Sequence, residues 1–99
     1  MIKYIVLFEK NTQKSVPNEL MLKHIDHLKR LKREKHLFLC GPCVGTNKVI
    51  QIIIADSKEE AEKHVKMDPF AAEGIFASYS LFELNEANDN NNWLLPAVG

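Results

Sequence analysis

Two stretches of this chain are apolar on both faces of a strand, and that restricts the available folds more than any other feature. Residues 2–9 (IKYIVLFE) and 48–55 (KVIQIIIA) are dense in β-branched and aromatic residues and read as strands. In the first, Ile2, Tyr4, Val6 and Phe8 point one way while Ile5 and Leu7 point the other. In the second, Ile50, Ile52 and Ile54 oppose Val49 and Ile53. A sheet with one wet face alternates apolar with polar residues. This one needs cover on both sides. Helices can supply one cover. An open apolar face of that size usually marks an interface, and a second copy in a two-fold, sheet-to-sheet homodimer is the simplest way to close it.

The segments between supply the helices. After a turn-rich connection at 11–17, Asn18 offers a side-chain oxygen to cap a helix. Leu20, Met21, His24, Ile25, Leu28 and Leu31 then recur at spacings of three and four as one stripe, with the helix ending near Lys35. Residues 37–39 form a short strand that breaks at Gly41-Pro42, and Gly45-Thr46-Asn47 provides hairpin chemistry before the strand at 48–55. Ser57 and Glu60 form a capping box for a second helix carrying Ala61, His64 and Val65. That helix stops at Asp68, because the residue before Pro69 is pushed toward extended geometry. Gly74 opens a last strand at about 75–84. The order β-α-β-β-α-β is the ferredoxin-like, split βαβ unit of the α+β class. Right-handed crossovers place both helices on one face of a four-stranded antiparallel sheet. Residues 1–84 make the domain. Residues 85–99 read as a tail, with a polar, Asn-rich spacer at 86–92 followed by Trp93, Leu94, Leu95 and Pro96. Such an anchor lies over its own subunit or over the partner's.

Ninety-nine residues with 13 Lys+Arg balanced by 13 Asp+Glu describe one ordinary globular domain without the positive footprint of a nucleic-acid binder. The basic run at 29–35 (KRLKREK) falls on the solvated side of the first helix. No segment nears the roughly 20 apolar residues that span a bilayer. The N-terminal apolar run is too short for a signal sequence and is followed by Glu9 and Lys10, so the expected location is the cytoplasm. Cys40 and Cys43 would then be reduced thiols.

Those cysteines spell Cys40-Gly41-Pro42-Cys43, the motif of thioredoxin-like redox proteins. Disulfide exchange needs the first cysteine at a helix N-terminus, where amides and helix field stabilise the thiolate. Here Val44-Gly45-Thr46-Asn47 and another strand follow instead. Incidental thiols beside a turn are the better reading. A structural zinc site wants four ligands, and the chain has a single CxxC. His24 and His27 offer a second pair, with His36 and His64 as looser candidates, but the spacing predicts no metal and a thermal melt indifferent to zinc. No Gly-rich phosphate loop or other cofactor motif is present, so no cofactor is expected.

Two residues stand out for acid/base work. His24 projects from the centre of the apolar stripe of the first helix, between Met21 and Leu28, while His27 sits about 60° further round at the stripe's edge. Asp68 ends the second helix. Each has an ordinary structural explanation, as a half-buried histidine bonded to a carbonyl and as a turn-forming aspartate. In a split βαβ fold, however, the start of the first helix and the end of the second lie at the same end of the molecule. That topology brings His24 and Asp68 together. A carboxylate beside a partly buried imidazole holds one tautomer and opposes the effect of burial on its charge, as proton transfer requires. Tyr4, Phe8 and Phe70 are candidates to wall a substrate pocket nearby, with Trp93 behind them.

The same residues carry a resemblance. The helix text His24-Ile25-Asp26-His27-Leu28-Lys29-Arg30-Leu31, the strand ending in Gly41-Pro42, and Asp68-Pro69-Phe70 with Gly74 after it resemble, in order and spacing, the YciI-like (YCII-related) family of the dimeric α/β-barrel superfamily. The resemblance covers about residues 1–84. It implies a ferredoxin-like domain that dimerises through its sheets and an active site built on His24 and Asp68. It also implies cofactor-free isomerase or lyase chemistry on a small molecule, of the lactone-isomerisation or HCl-elimination type. The alternative is a non-catalytic ligand-binding or accessory dimer. The cysteines flanking Gly41-Pro42 and the Asn-rich tail depart from the family pattern.

Overall fold

The computed structural model describes residues 1–96. Four strands, β1 (Ile2–Lys10), β2 (Leu37–Pro42), β3 (Lys48–Ala55) and β4 (Phe76–Leu84), form an antiparallel sheet in the order β2-β3-β1-β4. The α-helices are α1 (Asn18–Arg33), α2 (Lys58–Lys66) and a single turn, α3 (Pro69–Ala72), and a 3₁₀ segment (Asp89–Leu94) lies in the tail. This is the expected α+β, ferredoxin-like arrangement with one helix added. That addition has a local cause. Asp68 is extended (φ −66°, ψ 124°), which stops α2, but its carboxylate accepts the Phe70 amide and Pro69 takes the first helical position, so the same residue starts α3.

One sheet face lies beneath the helices. Tyr4, Val6 and Phe8 of β1 and Gln51, Ile53 and Ala55 of β3 are buried there with Leu31, Val65 and Phe76. Burying each large apolar side chain contributes about 1.5–3 kcal/mol. The other face carries a row that the register runs across all four strands: Leu39 opposite Ile52, Ile52 opposite Ile5, and Ile5 opposite Phe82. Ile50, Ile54 and Leu7 flank the row, and Phe82 and Leu39 are exposed. The period-2 reading of both inner strands therefore holds.

Several local expectations need correction. Asn18 does not cap α1. Pro17 takes that position, with φ at −63° as its ring dictates, and no side chain bonds the first amides. The helix is also rolled so that His27 is buried while Met21 is exposed. It ends at Arg33, through Lys35 in the left-handed region (φ 65°) and a bond from the His36 amide to the Leu31 carbonyl. β2 does not break at Gly41-Pro42 but runs to Pro42, which pairs with Val49 at the strand's end. Pro42 is tolerated because β2 is an edge strand. Ser57 caps α2 by accepting the Glu60 amide (3.1 Å), while the Glu60 carboxylate turns toward two histidines instead of closing the box.

Gly74 (φ 73°) turns the chain from α3 into β4, and Gly45 (φ 79°) turns the β2–β3 hairpin. Beyond β4 the chain leaves the sheet, and the long dimension of the molecule is 58 Å against 29 and 21 Å. Lys3 holds the start of this tail through Glu86 (3.0 Å). Trp93 is 58% exposed, its Nε1–H donating to Asp89. No described helix is long and apolar enough to cross a membrane.

Candidate active site

His24 reaches the site from the second turn of α1, and Asp68 from the junction of α2 and α3. Their facing atoms, His24 Nδ1 and Asp68 Oδ1, are 2.8 Å apart. The carboxylate is fully buried and receives two further donors. The Phe70 amide bonds Oδ1 at 2.9 Å, and Gln51 Nε2 bonds Oδ2 at 3.3 Å. Both carboxylate oxygens thus act as acceptors. Nδ1 of His24 therefore carries the hydrogen it donates. Its other nitrogen, Nε2, bonds no described protein group and, unlike Nε2 of His27, is not sealed from solvent.

Two aromatic rings fix the imidazole plane. Phe70 lies flat on it, with centroids 3.8 Å apart and planes 3° from parallel, and Phe76 meets it edge-on at 6.0 Å. The turn that lets Asp68 cap α3 also sets Phe70 two residues on, so one motif supplies both the carboxylate and the stacking ring. His24 opens on a cavity of about 360 Å³, within the usual range of small-ligand sites. Its walls are mostly apolar, from Val16, Met21, Leu28, Val49, Phe70, Ile75 and Phe76, with Gln51, Cys40 and Lys10 as the other polar groups. A larger hollow of about 550 Å³ lies between α1 and the α2–α3 junction, among Lys23, Asp26, His27, Arg30, Arg33, Met67 and Pro69. It is the more open of the two and does not include His24 or Asp68. The enclosed apolar cavity is the better candidate.

The structure thus brings His24, Asp68 and Phe70 together, and it separates Tyr4 and Phe8 from them. Both of those strand residues lie on the helix-covered side, as their period predicts, but in solid core beneath the cavity. Phe8 stacks on Phe76 (4.2 Å), and it is Phe76 that faces the cavity. Burial raises the pKa of the Tyr4 phenol, which is paired opposite Ile53 and Glu83 well along the sheet. Trp93 does not line the cavity either.

Sequence reasoning missed Gln51. It is the single polar residue on the buried side of β3, and that position is the signal that marks it. Its Nε2 is spent on Asp68, and its Oε1 is buried without a partner. His27, buried by the roll of α1, has its pKa lowered by desolvation, and Arg30 donates to its Nδ1 (3.3 Å). The Cys-Gly-Pro-Cys motif spans the end of β2 and the hairpin turn, with both thiols free and no helix after it. Cys40 is exposed at the edge of the cavity, and partial desolvation there raises its thiol pKa, the reverse of what a disulfide exchanger needs.

Fold and site together define a small α+β domain that buries a histidine–carboxylate pair beside an apolar cavity at one end of its sheet. The chain belongs to the family of YCII-related domains, whose family model matches residues 2–85. Among solved structures it is similar to 5-chloro-2-hydroxyhydroquinone dehydrochlorinase from Burkholderia phenoliruptrix AC1100, determined in complex with 2,5-dihydroxybenzoquinone. That likeness covers 91% of this chain and 99% of the other, with 21% identity and a TM-score of 0.64. It is a likeness of fold. A comparison with curated proteins gives no match.

Proposed function

We propose that this protein is a small-molecule enzyme in which His24 moves protons and Asp68 orients it, without a cofactor. One observation carries the reading: His24 commits Nδ1 to a buried carboxylate at 2.8 Å while it lines a cavity through the rest of its ring. An imidazole fixed in this tautomer presents the Nε2 lone pair to a bound molecule. As Nε2 takes a proton, Asp68 stabilises the imidazolium that forms. The apolar walls suit a flat or compact carbon skeleton. Lys10 at the cavity rim supplies positive charge for an oxygen that becomes anionic.

Chemistry next to a carbonyl fits these parts. Nε2 removes a proton from a carbon or hydroxyl conjugated with the carbonyl, and the electron pair moves through the conjugated system. It then either expels chloride, completing loss of HCl, or is reprotonated at another carbon, completing an isomerisation. The family and the similar dehydrochlorinase support this class of reaction. The working assembly is a homodimer that closes the apolar sheet face, as the row from Leu39 to Phe82 supports.

The test is turnover on a panel of chlorinated hydroxyhydroquinones and small unsaturated lactones, followed by chloride release and by absorbance. Activity that falls by about 100-fold or more in His24→Asn, with the fold intact, supports the proposal. A panel member that binds without turning over, and binds equally well to His24→Asn, would instead favour a ligand-binding module.

A further inference from the structure

A second cluster of ligand-type side chains lies where the end of α1, the start of β2 and helix α2 converge. His36 lies between the left-handed Lys35 and the first residue of β2, and Glu60 and His64 are four residues apart on one face of α2. One nitrogen of each imidazole and one oxygen of Glu60 all lie within 4.8 Å of one another. Glu60 Oε1 is 3.7 Å from His36 Nδ1 and 3.7 Å from His64 Nε2, and the two rings are 4.5 Å apart. Those 3.7 Å separations exceed hydrogen-bond length. The one between Glu60 Oε1 and His64 Nε2 approaches the edge of a metal's coordination tetrahedron, which is about 3.3 Å for ligands some 2.0–2.1 Å from zinc.

Two details favour a cation over a plain polar contact. His64 Nε2 is buried without a hydrogen-bond partner, which is costly for a group with nothing to bind. His36 Nδ1 is 2.9 Å from the Ile54 carbonyl, which can only accept. That bond fixes the tautomer with its lone pair on Nε2, the arrangement usual for a metal-bound histidine backed by a carbonyl. The cluster lines an open hollow of about 360 Å³ that leaves room for water on the outer side. Of the cationic neighbours in that hollow, Arg30 is 4.0 Å from Glu34, which offsets its charge, and Lys63 lies on the same stretch of α2.

The geometry points to a divalent transition-metal site, of the zinc type, with His36, Glu60 and His64 as protein ligands and solvent completing the shell. Two imidazoles and one carboxylate are a set that first-row metals accept, and magnesium and calcium do not favour. A bound ion ties the α1–β2 connection to α2, at a place separate from His24 and Asp68. It therefore reverses the sequence-based expectation that the melt ignores zinc.

The experiment titrates zinc chloride into the full chain carrying Cys40→Ser and Cys43→Ser, so that no thiol competes, with calorimetry and thermal melting as readouts. The expected result is one zinc per chain and a melting temperature raised by about 10 °C at a hundredfold excess over Kd, with magnesium inert. Adding Glu60→Gln, or separately His64→Asn, should weaken binding by about 100-fold and abolish the shift, whereas adding His24→Asn should leave both unchanged. Absence of saturable binding, or binding undiminished in Glu60→Gln and His64→Asn, overturns the proposal. Should a variant fail to fold, zinc-edge anomalous density from a soaked crystal decides. A peak between the three side chains supports the site, and none there defeats it.

Discussion

His24 and Asp68 are 44 residues apart in the chain and 2.8 Å apart in space. No local propensity makes that contact. It exists because antiparallel helices bring the beginning of α1 to the end of α2, and because Asp68, in ending one helix, must turn its carboxylate inward to start the next.

Asp68→Asn tests the consequence. The amide keeps the shape but removes the charge and presents a donor where three donors now converge. A proton-detected nitrogen correlation spectrum should show His24 losing its fixed Nδ1–H tautomer. Turnover should drop by roughly 10²–10⁴-fold, and stability by about 1–3 kcal/mol. An unchanged tautomer would detach Asp68 from the role assigned to it.

Phe70→Leu removes the ring that lies on His24 while keeping the site apolar. The lost stack is worth about 0.5–1.5 kcal/mol, or a melting point lower by several degrees. Because the imidazole is then free to rotate, kcat should suffer more than KM. Phe8→Leu serves as the contrast. It disturbs the core under Phe76, so its effect should fall on stability, with turnover largely preserved.

Phe82→Asp places a charge at the β4 end of the open apolar row. Sedimentation velocity should report a dimer for the parent chain and a monomer for the variant, both folded by circular dichroism. A parent that sediments as a monomer across the micromolar range would refute the sheet-to-sheet assembly.

Cys40 supplies a pH prediction. Burial disfavours its thiolate, so its pKa lies above the ordinary thiol value of about 8.5. The contribution to stability follows the sign of that shift. It is present while the thiol is protonated in both states, and it is lost as pH rises from the unfolded pKa through the folded one. Alkylation of Cys40 by iodoacetamide, followed by mass spectrometry in a Cys43→Ser chain, should therefore have a midpoint above about 8.5. A midpoint near 7 would revive the redox reading of the motif.

Much of this was legible in the residues. The double-sided strands foretold the sheet and the apolar character of both its faces, because side-chain alternation is a property of each strand alone. His24 was legible as a histidine in the middle of an apolar stripe, and Asp68 as a pre-proline helix stop. The registers and the order of elements then made them neighbours. Tyr4 and Phe8 were read to the correct face, yet that face is wider than the cavity, and a period of two cannot say where along a sheet a hollow opens.

By itself, then, the sequence determined the element order, the faces and the end of the molecule where His24 meets Asp68. Those follow from short-range rules of periodicity, capping and crossover handedness. Only the tertiary structure decided the rest: that α1 rolls far enough to bury His27, that Phe70 lies flat on His24, that Gln51 holds the second carboxylate oxygen, and that His36, Glu60 and His64 converge. Each of these depends on rotations of a helix about its own axis and on the path of short connections. Packing of the whole core sets those quantities, and no local stretch of residues encodes them.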